Sequence, residues 1–187
     1  MRITGGNARG IPLIAPKGDL VRPATDALRQ AVFSSLASRV EGAHFLDLFA
    51  GTGSYGLEAL SRGAAGGTFI ERNPKVVACL RQNLTAVCKS LARDSADVSV
   101  LTLDATTAPL VRGVVPELVF IDPPYEIITE VAALLFERLT EALAMAVDPV
   151  VSFEMPGELE LAPVGWQCVK RLGKGVRQPT VAFFRRA

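Results

Sequence analysis

The sequence predicts an α/β domain built on a mostly parallel seven-stranded sheet, with an antiparallel C-terminal strand and a small N-terminal β-hairpin extension. Three observations carry that expectation. Short, nearly continuous apolar runs alternate with longer stretches of helical periodicity, the pattern of strands covered on both faces. One of these runs, Phe45–Phe49, feeds a glycine-rich turn that opens a helical stretch. The last two runs are joined by a connection too short for a parallel crossover. At 187 residues the chain suits one domain, read as an extension over 1–20 and a core over 21–187.

In chain order, Ile3 to Ala15 places Gly5-Gly6-Asn7 between two short apolar stretches and reads as the hairpin. A helix should start near Thr25 or Asp26, just after Pro23, and bury Leu28, Val32 and Leu36. Candidate strands follow at Phe45–Phe49, Thr68–Glu71, Val98–Leu103, Leu118–Ile121 and Val150–Phe153. Asn73 should cap a helix with Pro74 at its first position and Val77, Leu80, Leu84, Val87 and Leu91 on one face. Thr129 should cap another that buries Val131, Leu135 and Leu139. Gln167–Leu172 and Thr180–Phe184 complete the sheet.

Composition excludes several classes. The chain is 49% hydrophobic and 21% charged, too apolar for a disordered polymer, yet no unbroken apolar run approaches the ~18 residues of a membrane span. No secretory signal is visible at Met1–Gly6, so the expected location is the cytoplasm. Cys79, Cys88 and Cys168 are odd in number and form no C-x-x-C pair, which argues against a disulfide framework or a metal site. The formal charge of +1 hides an uneven distribution. Residues 1–30 carry five basic side chains against two acidic ones, and residues 166–187 carry six basic and no acidic ones. An acidic body with basic ends suits a polyanion partner if the two ends meet in space.

The predicted strands end in acids or lead directly to them, at Glu71, Asp104, Asp122 and Glu154, with Asp47 inside the first. In open α/β sheets ligands bind beyond the carboxyl ends of the strands, so these acids should converge on one edge. Gly51, Gly53 and Gly56 satisfy G-x-G-x-x-G, and Glu71 lies where a carboxylate can accept bonds from both ribose hydroxyls of an adenosine. The pattern fits a dinucleotide or S-adenosylmethionine. Asp47, four residues before Gly51, favours the latter, because it would repel a pyrophosphate and attract an ammonium.

Asp122-Pro123-Pro124-Tyr125 directly follows an apolar strand. Two prolines fix an extended turn. The Asp122 carboxylate and the Pro123 carbonyl can accept N–H bonds from an aromatic amine and aim its lone pair at a methyl donor. Tyr125 can stack on a base drawn out of its helix. His44, at a strand start, is expected to be structural.

Met1-Arg2-Ile3, Gly6-Asn7-Ala8-Arg9-Gly10, Arg22-Pro23-Ala24-Thr25-Asp26-Ala27-Leu28-Arg29, the run from Leu46 through Gly56 to Ala64, and Asp122–Tyr125 together resemble the bacterial 16S ribosomal RNA guanine-N2 methyltransferases of the RsmD type. The resemblance implies a class I, Rossmann-like methyltransferase fold with S-adenosyl-L-methionine as cofactor. It also implies N2 methylation of guanine 966 of 16S rRNA, in an assembled or assembling small subunit that already carries protein. A monomer without metal or membrane association is expected. By position, Arg22 and Thr25 would lie near the cofactor, and Asp47, Phe49, Ala50, Gly51 and Gly53 around its methionine end. Glu71, with Arg72 beside it, would hold the ribose, and Asp104 with Ala105 would meet the adenine. Asp122, Pro123, Pro124 and Tyr125 would receive the guanine amine. The tail departs from the family pattern at Gly173–Thr180, where members often have Tyr-Gly-Thr. The residues alone leave open an adenine-N6 DNA methyltransferase, a nicotinamide-dependent oxidoreductase and a noncatalytic RNA-binding module.

Overall fold

The computed structural model describes residues 1–16, 25–173, 175 and 178–187. Thr25 caps the first helix, α1 (Asp26–Leu36), by accepting a bond from the Leu28 N–H, as the start signal predicts. Strand β1 (His44–Leu48) and helix α2 (Ser54–Ser61) flank the glycine turn. Strand β2 (Gly66–Ile70) leads to α3 (Pro74–Ser90), whose N-cap Asn73 and first-position Pro74 stand where expected. Strands β3 (Val98–Leu101) and β4 (Leu118–Ile121) are joined by residues 102–117 without a helix.

Helix α4 (Ile128–Ala142) begins one residue before Thr129 and without a side-chain cap, because a 3-10 turn over Tyr125–Ile127 runs straight into it. Strand β5 (Val150–Pro156) outlasts its apolar run. Its antiparallel partner β7 (Pro179–Arg186) pairs with it as far as Pro156–Pro179, so Glu154 sits inside the strand instead of after it. The edge strand β6 (Trp166–Leu172) pairs with β7.

The sheet has the order β3-β2-β1-β4-β5-β7-β6, with β7 alone running against the rest. Alternation along the strands divides the core into two layers. Phe45, Phe69, Phe120 and Phe183 face α1, α2 and α3. Leu46, Val119, Phe153 and Phe184 face α4, where Phe136 touches Phe153, Trp166 and Phe184. Among the described residues no helix is long and apolar enough to cross a membrane.

The third glycine of the turn motif is a packing requirement. A Cβ on Gly56 would run into the rings of Phe69 and Phe45, so α2 lies against β1 and β2 only without a side chain there. Gly56→Ala is expected to lower stability by about 1–3 kcal/mol through overpacking, read as a fall in the denaturant midpoint at unchanged slope.

The expected hairpin is present as a single bridge, Arg2–Pro12, with Ile3 and Ile11, Ile3 and Gly10, and Met1 and Leu13 joined by backbone bonds. Its remaining polar groups are met by α2 and α3. Thr4 donates to both oxygens of Glu58, Ala8 N–H to Ser61, and Ile14 exchanges two bonds with Asn83. The N-terminal segment and β6 both touch α1: Arg29 of α1 donates to the Arg2 carbonyl, and Lys170 of β6 donates to Ser35 of α1.

Candidate active site

Strand register sets the site. Leu101, Ile70, Leu48, Ile121 and Phe153 lie in one row across β3, β2, β1, β4 and β5. Just past that row come Glu71, Phe49 and Asp122, with Glu154 the next residue along β5. The glycine turn and the D-P-P-Y corner therefore leave neighbouring strands at the same edge, the site rule for open parallel sheets. The Asp122 N–H points back to the Leu48 carbonyl at 3.4 Å, joining the two.

The turn is tightly wound. Phe49, Gly51 and Gly53 all have positive φ, at 59°, 54° and 89°. Only the first of these residues is costly there, and strained non-glycine backbone gathers where a ligand must approach the main chain. Ala50 N–H bonds to the Ile70 carbonyl and Gly53 N–H to the Ala50 carbonyl. Asp47 is only 2% exposed, and its Oδ2 accepts the Gly56 N–H at 2.9 Å. It thus fastens the turn to α2. Burial pushes the Asp47 carboxyl well above the carboxylate range, Glu71 adds to this, and the Gly56 N–H opposes it.

Glu71 spans the turn and the start of α3, accepting Gly51 N–H on Oε2 at 3.0 Å and Asn73 N–H on Oε1 at 2.8 Å. Each carboxylate oxygen keeps a second lone pair, so Glu71 can hold the turn and still receive two hydroxyls. Arg72 is largely exposed and reaches Asp104 at 3.9 Å. Asp104 lies past the end of β3, where its Oδ1 binds the N–H and hydroxyl of Thr106 at 2.8 and 2.6 Å. Those two bonds, then Arg72, hold its carboxyl below the usual range. Ala105 is buried beneath it.

At the corner, Pro123 is buried and Pro124 exposed, with the 3-10 turn starting at Tyr125. Asp122 as a residue keeps some solvent contact, while its carboxyl group lies deep. Burial, then the charges of Glu154 and Asp47, push it well above the ordinary value. Sequence reasoning missed what lies beneath. The Tyr55 hydroxyl donates to Glu154 Oε2 at 2.9 Å, and the Tyr55 ring stacks on Phe120 with centroids 5.4 Å apart. Glu154 carried a signal as a strand-end acid, whereas Tyr55 carried none beyond its place between two motif glycines.

Thr25 acts as the α1 cap, and Arg22 lies outside the described residues. Two surface clefts, of about 180 and 250 Å³, lie elsewhere: one near His44, Asp97 and Arg112, the other between the N-terminal segment and α1 at Arg9 and Gln30. Neither touches Glu71 or Asp122.

Residues 1–183 match a family model described as Conserved hypothetical protein 95. The chain is 40% identical over 125 residues to ribosomal RNA small subunit methyltransferase D of Escherichia coli (strain K12), a match that covers 67% of this chain and spans 60% of the length of that relative. Among solved structures, the yhhF protein of Escherichia coli superposes with a TM-score of 0.81 at 29% identity, covering 100% of this chain and 97% of the other. An RNA methyltransferase from Salinibacter ruber, solved in complex with S-adenosyl-L-homocysteine, gives a TM-score of 0.63 at 17% identity and shares the fold, over 88% of this chain and 94% of the other.

Proposed function

The chain belongs to the Conserved hypothetical protein 95 family, that of the RsmD methyltransferases, and from this premise we propose that it transfers a methyl group from S-adenosylmethionine to the N2 amino group of a guanine in small-subunit ribosomal RNA. The target is guanine 966 of 16S rRNA within an assembled or assembling subunit. One observation carries the reading: Glu71, the glycine turn and Asp122 emerge side by side from β2, β1 and β4.

The cofactor supplies a sulfonium methyl with no phosphate to be repelled by Asp47 and Glu71. Glu71 receives the ribose hydroxyls, and the turn over Phe49–Gly53 lets the methionine end approach the main chain. Asp104 and Ala105 meet the adenine. The Asp122 carboxylate and the Pro123 carbonyl accept the two N–H bonds of the guanine amine. This pulls the nitrogen away from conjugation with the ring and turns its lone pair toward the methyl. Tyr125 stacks on the extruded base. Transfer forms the N–C bond as the C–S bond breaks, and the resulting ammonium loses its proton without a strong base. The exposed basic side chains of the N-terminal hairpin and the C-terminal strands, Arg2, Arg9 and Lys170 among them, hold RNA phosphates, so affinity should fall steeply with salt.

The test is methyl transfer to small subunits from cells lacking this activity, followed by mass spectrometry of the digested RNA. N2-methylguanine at one position is expected. Labelling of adenine in naked DNA, with none in the RNA, would contradict the proposal. Within it, Glu71→Ala should weaken S-adenosylmethionine binding by about 10- to 100-fold, the worth of hydrogen bonds to a charged group, measured by calorimetry.

A further inference from the structure

Residues 102–117 connect β3 to β4 with no helix or strand, yet they carry Asp104 and Ala105. A long irregular connection that must hold a binding surface still has to be fixed by something. Part of the answer is local: the Asp104 carbonyl accepts the N–H groups of Thr107 and Ala108, and the Asp104 side chain caps Thr106. The rest comes from α4. Arg138 donates through Nη1 to the carbonyls of Ala105 and Thr106, at 3.2 and 2.7 Å, and through Nη2 to that of Ala108 at 2.6 Å. One planar guanidinium thus gathers three carbonyls of a single turn, a fork of donors that a lysine ammonium lacks. Among the described residues Arg138 forms no ion pair. Below it, Ala105, Ala108 and Leu110 pack into the same core layer as α4, so the clamp joins a surface turn to a rigid helix.

We propose that Arg138 is a positioning residue for adenine recognition, holding the Asp104–Ala108 turn in the shape that receives the cofactor's base. This rests on the proposal above that the turn meets adenine. The exocyclic amino group of the adenine needs an acceptor at a fixed place, and a turn already held in that place binds without the cost of ordering it. Arg138 touches no substrate atom. Its effect falls on the affinity and base preference of the cofactor site and leaves the Asp122 corner alone.

The test uses the full chain with Arg138→Ala and Arg138→Lys. Calorimetry gives the binding of S-adenosylhomocysteine and of S-inosylhomocysteine, which has oxygen in place of the adenine amino group. Initial rates at varied S-adenosylmethionine give kcat and KM. In Arg138→Ala, S-adenosylhomocysteine should bind about tenfold more weakly. The preference for adenine over hypoxanthine should shrink, KM should rise in step, and kcat should stay within about twofold, with partial recovery in Arg138→Lys. If Arg138→Ala fails to fold by circular dichroism, Arg138→Lys and Arg138→Gln carry the same readouts. Unchanged binding in the folded variants overturns the inference, and so does an equal loss for both ligands, which marks a merely structural role. A wild-type chain that binds neither ligand overturns the cofactor reading and this inference together. If Asp104→Ala loses the adenine preference while the Arg138 variants keep it, the inference alone fails.

Discussion

Asp122→Ala is expected to lower kcat for methyl transfer by about 10²- to 10³-fold, the usual cost of removing one preorganised polar group from a reacting centre, while S-adenosylmethionine binding stays near wild type. The separation follows from geometry, because Glu71 and the glycine turn are held by bonds to Gly51, Asn73 and Ile70 that do not pass through Asp122. A noncatalytic RNA-binding domain would show no such split between transfer and binding.

Stability should move the other way. Burial, then Glu154 and Asp47, raise the Asp122 carboxyl above its unfolded value. The folded state therefore favours the protonated form, and the group's contribution to stability is lost as pH rises through the raised value. Asp122→Asn removes that loss, so thermal unfolding at pH 8 should show the variant more stable than wild type. The difference should narrow as the pH is lowered into the acid range. A difference that does not change with pH would mean that the surroundings do not raise the carboxyl's affinity for a proton.

Glu58→Ala should destabilise the fold by about 3–5 kcal/mol, as when one partner is removed from a buried ion pair, a drop in Tm on the order of 10 °C for a chain of this size. Glu58 and Arg29 are both fully buried. The Glu58 carboxylate receives Thr4 through its N–H and hydroxyl, Arg62 at 2.8 Å and Arg29 at 3.4 Å. Arg29 also donates to Asp26 and to the Arg2 carbonyl, and its Nη1 has no hydrogen-bond partner among the described residues. Among the described residues, without Glu58 the guanidinium keeps only partly exposed Asp26 as a counter-charge. Differential scanning calorimetry of Glu58→Ala and the shape-preserving Glu58→Gln separates lost charge from lost packing.

Much of the fold was legible because its signals are local. The β4 boundaries follow from an apolar run stopped by Asp-Pro-Pro, and those of α3 from Asn73-Pro74 ahead of a regular apolar face. What was not legible depends on partners distant in sequence. The N-terminal segment takes its shape from Glu58, Ser61 and Asn83, 53 to 69 positions away. Strand β5 runs past its apolar core because β7 offers backbone partners as far as Pro179.

The same division holds at the site. The glycine turn, Glu71, Asp104 and Asp122 could be named from motif and strand position. Beyond them, Tyr55 beneath Glu154 and Arg138 behind Ala105 become visible only once helices are laid on the sheet. Asp47 was legible as a charge near the turn, though not as the buried acceptor that ties the turn to α2.

The central claim is that the methyl donor lies over the glycine turn and faces the Asp122–Tyr125 corner, and a crystal structure with S-adenosylhomocysteine bound tests it most directly. The ribose hydroxyls should rest on Glu71, the adenine against Asp104 and Ala105, and the sulfur should be turned toward Asp122. A ligand seated away from Glu71, or one whose sulfur opens onto a surface other than that of Asp122, would contradict the account.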